Sequence, residues 1–586
     1  MTPPEDDRWF GCWALRMGGY WKKTRENPMG REVHLLPQGS VWAERYRTIQ
    51  TAPRGQWFTP EPEPAAMPPF DEVRSRLPGP YIDGRPDFRD CYDFCVDVLF
   101  RNRREPDEGS PLVTPFLDAA FNGNIFFWDT AFITMFARLF HPYLPGIRSL
   151  DNFYARQHDN GEICREIYAD DGLDFLWWTN LDDDGLYSFF HRGWQQGAIE
   201  AEPIDQRLHS VRRIDLGREP STQPRLTLDA HNNFVFAWAE LLSFRQTGDI
   251  GRLERVFPPL YAYFQAVDDQ LRHSSGFYAT DWASMDNSPR NQYLGFGVDT
   301  ACQMVLFAEN LLDIAATLER HGRGTGADLS LLVERQLGLR DLVNEHMWDE
   351  QRQFYFDLDE NLERSPVRTI AAFWALISGV APIERAHALV RALEDPDGFA
   401  RVHMVPTVPA DEPDFDPEGG YWRGAVWAPT NQMVVAGLDR YGLHDLARRI
   451  AHNHVDALAR IHDGTGTVYE CSAPDHVGPG DNNRRDFIGW SGIGPIGFFV
   501  SHVVGVTADA EANCITWQLP ERQVRVGIDN YWFFGKQADL VAEPTGWGWT
   551  VRLVTDDEFI LRVVSPSGRV ETRQINGDST FWFSAE

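Results

Sequence analysis

The chain has 586 residues, 43% of them hydrophobic and 24% charged, with 55 Lys+Arg against 86 Asp+Glu and a net charge of -31. That length exceeds one ordinary core, and the composition is that of two or three folded domains rather than a disordered chain. The acidity argues against nucleic acid or an anionic membrane surface as a partner.

The N-terminus, Met1-Thr2-Pro3-Pro4-Glu5-Asp6-Asp7, has no basic and then apolar leader, and no apolar run approaches the ~18 residues of a membrane span, so a cytoplasmic location is the expectation. The seven cysteines, at 12, 91, 95, 164, 302, 471 and 514, are odd in number and lack zinc-ligand spacing, so neither a disulfide framework nor a metal or cofactor is expected. Tryptophan is abundant at 21 residues, in keeping with pockets where indole faces stack on sugar rings.

Residues 1–87 read as an N-terminal arm. They are rich in Pro, Gly and Trp without a helical period, anchored by Trp9, Phe10, Trp13, Tyr20 and Trp21, with an extended wrap from Pro60 to Pro80. From 88 to 505 amphipathic segments follow one another near 88–104, 129–141, 145–157, 228–247, 251–272, 297–321, 328–348, 366–378, 383–394, 425–441, 444–461 and 491–503. Two stripes with the 3.6-residue period stand out: Leu253, Val256, Phe257, Leu260, Phe264, Val267 and Leu271, then Val298, Ala301, Cys302, Val305, Ala308, Leu312 and Ala315. Strands do not alternate with these helices, which excludes a βαβ sheet. The expectation is a mainly α fold, an (α/α)6 toroid of six helical hairpins, with 172–226 too long for an ordinary connection and read as an insertion or lid. Past 505 the period becomes two, in 514–519, 524–526, 549–553 and 559–564, with Pro566-Ser567-Gly568 as a hairpin turn, so 506–586 is expected to be a small β-sandwich-like domain.

Polar, aromatic clusters fall in the loops before or between the helices. They are Phe127-Trp128-Asp129-Thr130, where Asp129 is either a helix cap or a ligand; Asn160-Gly161 with Arg165-Glu166; Asp281-Trp282 through Asp286-Asn287-Ser288-Pro289-Arg290; Tyr421-Trp422-Arg423-Gly424 with Trp427; and Tyr469-Glu470, followed by Gly489-Trp490-Ser491-Gly492. Five such clusters at one end of successive hairpins would share one barrel mouth. Hydrolysis of a glycoside needs one proton donor and one further carboxylate, and acids remote in sequence, such as Asp286 and Glu470, can stand on opposite walls of such a mouth. Asp281, Asp416 and Glu418 are alternative bases. Trp128, Trp282, Trp422, Trp427 and Trp490 are candidates for stacking on a sugar. Asp129, Arg165, Glu166, Asn287, Arg290, Tyr421 and Arg423 are candidates for its hydroxyls or for a carboxylate.

The ordered set Trp128-Asp129-Thr130, Asn160-Gly161 with Arg165-Glu166, Met285-Asp286-Asn287-Ser288-Pro289, Tyr421-Trp422-Arg423-Gly424, Tyr469-Glu470 and Gly489-Trp490-Ser491-Gly492 resembles glycoside hydrolase family 63. Within it, the bacterial branch of mannosylglycerate and glucosylglycerate hydrolases is the most similar; family 37 trehalases are more distant relatives. The resemblance covers roughly 88–505. It implies Asp286 as general acid, Glu470 as general base, inversion at the anomeric carbon, and a small α-linked glucoside or mannoside as substrate, with no cofactor. The chain departs from the family pattern in Cys471-Ser472-Ala473-Pro474 after Glu470 and in Ala283-Ser284 before Asp286.

Two rivals use the same barrel: a sugar epimerase working through histidines such as His158, His231, His403 and His476, and a carbohydrate-binding homologue without catalysis. A homo-oligomer is compatible with either. Gly492-Ile493-Gly494-Pro495-Ile496-Gly497 fits G-x-G-x-x-G but lacks the βαβ setting, and Asp357-Leu358-Asp359-Glu360-Asn361 begins like a calcium loop but has Leu362 where Gly is required.

Overall fold

A computed structural model describes residues 41–61, 67–119, 124–175, 179, 217–218, 234–279, 285, 287–290, 295–481, 483–521 and 523–585. Asp286, Trp282, Asp281, His231, the aromatic anchors before residue 41 and most of the expected insertion at 172–226 lie outside them. The body is helical: α1 Val41–Thr51, α2 Pro86–Arg101, α3 Phe127–Ala137, α4 Phe236–Thr247, α5 Ile250–Leu271, α6 Val298–Arg320, α7 Ser330–Leu342, α8 Ile383–Leu393, α9 Ala428–Arg440 and α10 His444–Thr465, followed by a π-helical segment, Gly494–Val504.

The two amphipathic stripes are core. The α5 stripe is buried along its whole length, and the α6 stripe is buried except for Leu312, which packs at its margin. Helix α6 is long and apolar enough to cross a membrane by length and composition, but 78% of its most apolar window is buried inside the protein, so it is a core helix.

Helices α4/α5 and α9/α10 are hairpins whose short turns point to one end of the body. At the first turn Gly248 adopts φ +70°, and a Cβ there would lie 2.4 Å from the Phe534 ring. Only glycine permits both the left-handed turn and that approach. Asp249 then caps α5 by accepting from the Arg252 N–H at 2.9 Å.

Phe534 belongs to the C-terminal region, where the chain forms β4 Val506–Asp509, β5 Cys514–Gln518, β6 Val526–Phe533, β7 Lys536–Thr545, β8 Gly548–Val554, β9 Glu558–Val564, β10 Val570–Asn576 and β11 Ser579–Ser584. Earlier strands are β1 Gly79–Ile82, β2 Asn124–Phe126 and β3 Glu166–Tyr168. One sheet has the order β1-β6-β7-β8-β11 and the other β4-β5-β9-β10; β5 and β9 run parallel and the remaining pairs are antiparallel. Strand β1, within the stretch expected to be an arm, extends the first sheet by pairing Gly79 with Asp529 and Ile82 with Val526.

The sheets seat on the hairpin turns. The Gln246 amide donates to the Trp532 carbonyl, Phe534 N–H donates to the Gln246 carbonyl at 2.9 Å, and Arg448 donates to the carbonyls of Gln518 and Leu519. That covers one end of the helical body. The starts of α3, α6 and α9 and the end of α10 lie toward the other, and the expected motifs gather there.

Candidate functional site

Glu470 follows α10, and its backbone is held on three successive peptide groups. The Ser491 hydroxyl donates to the Tyr469 carbonyl at 2.5 Å, the Trp490 indole N–H donates to the Glu470 carbonyl at 2.7 Å, and the Asn483 amide brackets Cys471, accepting from its N–H at 2.8 Å and donating to its carbonyl. The Gly489-Trp490-Ser491-Gly492 motif therefore works as a backbone clamp on Tyr469-Glu470. Its last glycine lets the turn press on α3, since a Cβ on Gly492 would sit 2.5 Å from the Phe136 ring. Trp490, buried with its polar edge committed to Glu470, lies against Phe487 and Trp427, with ring centroids 4.8 and 5.4 Å away.

The Glu470 side chain is 2% exposed overall, and one carboxylate oxygen accepts from the Tyr421 hydroxyl at 3.0 Å. Tyr421 has φ +62°, a left-handed backbone that costs a non-glycine residue about 1–2 kcal/mol. Such strain persists where the surroundings over-determine it, and here they do. Tyr421 N–H bonds to the Gly419 carbonyl at 2.7 Å, the Trp427 indole donates to the Tyr421 carbonyl at 3.2 Å, and Asn287 grips both neighbours. Asn287 Nδ2 donates to the Gly420 carbonyl at 3.0 Å, and Trp422 N–H donates to Asn287 Oδ1 at 2.8 Å.

From a third direction comes α3. Strands β2 and β3 pair Phe126 with Glu166, and Phe127 N–H donates to the Arg165 carbonyl at 2.8 Å. This places Trp128-Asp129 beside Arg165-Glu166. Glu166 accepts from the Asn124 amide. Asp129 is not a helix cap: Phe126 holds that position without a side-chain bond, and Asp129 sits inside the first turn. Burial first, and then the Glu470 carboxylate, hold the Asp129 carboxyl well above the usual carboxylate range; Glu166 adds to this and Arg165 opposes it. Asp129 Oδ1 and the Trp128 indole N–H are buried with no hydrogen-bond partner among the described residues. A buried polar group without a partner calls for a reason of its own.

Several expectations require correction or reassignment. Arg290 does not grip a ligand. Its guanidinium is fully buried, forked onto Asp299 at 2.7 and 2.8 Å and onto Asp357 at 2.8 and 2.5 Å, and Asp357 also accepts from the Val298 N–H that opens α6. Those bonds use its donors to fasten the end of the 285–290 loop to α6. Trp427 offers no stacking face: it is fully buried, stacked on Trp422 at 4.1 Å and flanked by Trp490. Arg423 is half-buried and pairs with Asp414 at 3.2 Å. Trp422 is itself buried behind Tyr421. Among the proposed alternative bases, Asp416 and Glu418 gather with Asp481; burial and then these two acids raise the Asp481 carboxyl.

Asn124 and Asn483 carry no signal in the sequence: they stand 42 and 12 residues from Glu166 and Cys471, the residues they hold, and meet them only in the fold. The histidines offer no accessible acid–base pair among the described residues. His403 and His454 touch, Nε2 to Nδ1 at 2.8 Å, but each is 1% exposed. His158 pairs with buried Asp174, and His476 faces Glu418 at the surface.

Residues 172–487 match the family model of the mannosylglycerate hydrolase MGH1-like glycoside hydrolase domain, which is more than half of the chain. A mannosylglycerate hydrolase of Thermus thermophilus is 37% identical over 129 residues, 22% of this chain and 29% of that protein. A mannosylglycerate hydrolase of Rubrobacter radiotolerans is 30% identical over 193 residues, 32% of this chain and 42% of that protein. The matched stretches thus span under half of either relative. The fold is similar to the crystal structure of a GH63 mannosylglycerate hydrolase from Thermus thermophilus in complex with glucose, with a TM-score of 0.50 at 20% identity, covering 70% of this chain and 100% of that one.

Proposed function

The chain belongs to the mannosylglycerate hydrolase MGH1-like glycoside hydrolases, and on that premise we propose that it hydrolyses a small α-linked glucoside or mannoside, a glycosylglycerate or a disaccharide, with inversion. Asp286 is the proton donor to the glycosidic oxygen in this reading, and Glu470 is the base that activates water on the opposite face of the ring. An inverting pair is separated by roughly 6.5–9.5 Å, which leaves room for that water. Support for Glu470 comes from its setting: a buried carboxylate aimed by one phenol and pinned on three peptide groups, in a cluster with Asp129, Glu166 and Arg165. Support for Asp286 is that the next residue, Asn287, binds the turn that carries Tyr421.

Asp129, with its carboxyl raised, and the Trp128 indole present unpartnered polar atoms suited to sugar hydroxyls. Arg165 supplies the cation for a carboxylate-bearing aglycone such as glycerate. The six-hairpin (α/α)6 closure of the helical body belongs to the same proposal, supported by hairpins that turn on the β-sheet end and open on the Glu470 end.

Mannosylglycerate, glucosylglycerate and trehalose, assayed side by side with the product anomer followed by NMR, test the reading. At least one should be cleaved with inversion, and Asp286→Asn and Glu470→Gln should each lower kcat by about 10²–10⁴-fold, the range general acid–base groups supply, with the fold intact by circular dichroism. Retention of configuration, or near-normal turnover in either variant, defeats it.

A further inference from the structure

Resting on that reading, we infer that Asn287 is a positioning residue that couples the loop of the proton donor to the base. It grips the peptide groups on both sides of Tyr421 and thereby holds the Tyr421 hydroxyl on Glu470.

The connection runs through four contacts. Asn287 Nδ2 reaches the Gly420 carbonyl at 3.0 Å and Asn287 Oδ1 receives the Trp422 N–H at 2.8 Å. Between those two anchors Tyr421 is left-handed at φ +62°, and its hydroxyl lies 3.0 Å from Glu470 Oε1. The Trp427 indole braces the Tyr421 carbonyl from below at 3.2 Å. An L side chain relaxes out of a left-handed backbone once its flanking peptides are released, and a relaxed Tyr421 carries its hydroxyl away from the carboxylate. Asn is suited to this task because one amide presents a donor and an acceptor in one plane, matching a carbonyl and an N–H two residues apart. Leu, Ala or Ser at 287 cannot hold both. The side chain facing the ligand in a simple contact role would instead keep its amide clear of backbone partners.

The arrangement gives Asn287 a function distinct from that of a stability strut. Arg290, three residues on in the same loop, already fastens the loop to α6. The Asn287 contacts act on the geometry of Glu470, where misplacement of a reacting group by about 1 Å costs on the order of 10²-fold. Among the described residues, the groups facing Glu470 include the Tyr421 hydroxyl, Asp129 from α3 with Glu166 and Arg165 near it, and the neighbouring Cys471 thiol. Of these, the Tyr421 hydroxyl is the one that Asn287 controls. A hydrogen bond donated to a carboxylate favours its ionised form, so its loss should move the acidic limb of the kcat/KM profile to higher pH.

The test measures Asn287→Ala, Asn287→Asp, Tyr421→Phe and the Asn287→Ala/Tyr421→Phe pair on the best substrate from the panel above, alongside Asp286→Asn and Glu470→Gln. Asn287→Ala should lower kcat about 10- to 100-fold with KM changed under about threefold. Tyr421→Phe should lower kcat similarly, and the acidic limb should move the same way in both. The double variant should be no more than about threefold worse than the poorer single, because both changes break one connection. Asn287→Asp, which keeps the acceptor for Trp422 N–H, should fall between wild type and Asn287→Ala, and it carries the test if Asn287→Ala does not fold. Wild-type kcat in Asn287→Ala or Asn287→Asp, multiplicative losses in the double variant, or an effect on KM alone overturns the inference. Were Asp286→Asn or Glu470→Gln active, the hydrolase assignment itself would fail; both inactive with Asn287→Ala unimpaired leaves that assignment standing and removes only the coupling.

Discussion

Two clusters of buried charge lie at the helix starts of this protein, and they are built on opposite principles. Around Arg290, one guanidinium meets Asp299 and Asp357 through four hydrogen bonds, and a backbone N–H adds a fifth to Asp357. Around Glu470, by contrast, Asp129 and Glu166 crowd a third carboxylate, with Arg165 the cation that offsets them, and burial and then Glu470 hold the Asp129 carboxyl well above the usual carboxylate range. The first cluster has satisfied its charges within the fold. The second holds acidic groups at a strained electrostatic balance that the fold alone does not require. Packing can produce the first kind anywhere a loop must be tied to a helix; the second kind is the setting in which acid and base roles are pushed apart.

The comparison breaks first at Arg290. Removing one partner of a buried, hydrogen-bonded ion pair leaves the others uncompensated, at a cost of about 3–5 kcal/mol. Arg290→Ala should therefore lose that much stability in urea unfolding, and substrate affinity measured on whatever remains folded should be little altered. If instead stability is unchanged and KM rises sharply, Arg290 is a ligand residue after all and the two clusters are not different in kind.

How much of this was legible in the sequence depends on the distance over which each residue acts. Helices α5 and α6 announced themselves because a stripe at the 3.6-residue period is a local signal that burial then honours. Helix α1, VWAERYRTIQT, did not, because it stands in a Pro-, Gly- and Trp-rich stretch that reads as an arm. Strand β1 was hidden by Pro80, which a sheet tolerates here because β1 pairs on one side only. Glu470 and Trp490 could be picked out as members of one motif set, but the bond between them is a contact of the fold. The role of Arg290 was illegible for the same reason. Its partner Asp357 is 67 residues away, in a stretch that reads as a failed calcium loop. From sequence, an arginine two residues past Ser288 looks the same whether it faces a sugar or a buried carboxylate.

A second and smaller contrast separates the carboxylates themselves. Asparagine has the shape of a protonated aspartic acid and no carboxyl to ionise, so Asp129→Asn should not destabilise the protein at pH 7 and should relieve the cost of the raised carboxyl there, whereas Asp299→Asn removes a carboxylate that accepts two of the Arg290 hydrogen bonds and should cost about 3–5 kcal/mol. The pH dependence sharpens the point. The folded carboxyl of Asp129 is raised above its ordinary 3.8. Its contribution is therefore fully present below that value and is lost as pH rises through the folded one. Urea unfolding of Asp129→Asn and wild type between pH 4 and 8 should converge at the acid end in slope and separate above it. Equal slopes throughout would mean that Asp129 is ionised in the folded protein, and the contrast with Asp299 would vanish.

A last expected effect comes from a pair of groups that belongs to neither cluster. His403 and His454 share a hydrogen bond beneath the chain that follows Glu470, with the His403 backbone N–H donating to the Pro474 carbonyl at 2.8 Å. Burial, and then the neighbouring imidazole, push His403 well below its ordinary 6.5, and burial pushes His454 down to about 3. Both are therefore neutral in the folded protein at pH 6.5, while the unfolded chain begins to bind protons there. The sign follows: the stability they contribute is complete above 6.5 and declines as pH falls toward about 3, at up to about 1.4 kcal/mol per pH unit for each imidazole. This slope opposes that of Asp129, so the acid-side rise of wild-type stability should be shallower than the histidine pair alone would give. Replacing both histidines by glutamine should flatten the acid side of the profile, and the change in slope is the readout, whatever the double variant loses in absolute stability. An unaltered slope would place the acid sensitivity elsewhere and leave the histidine pair as neutral packing at every pH.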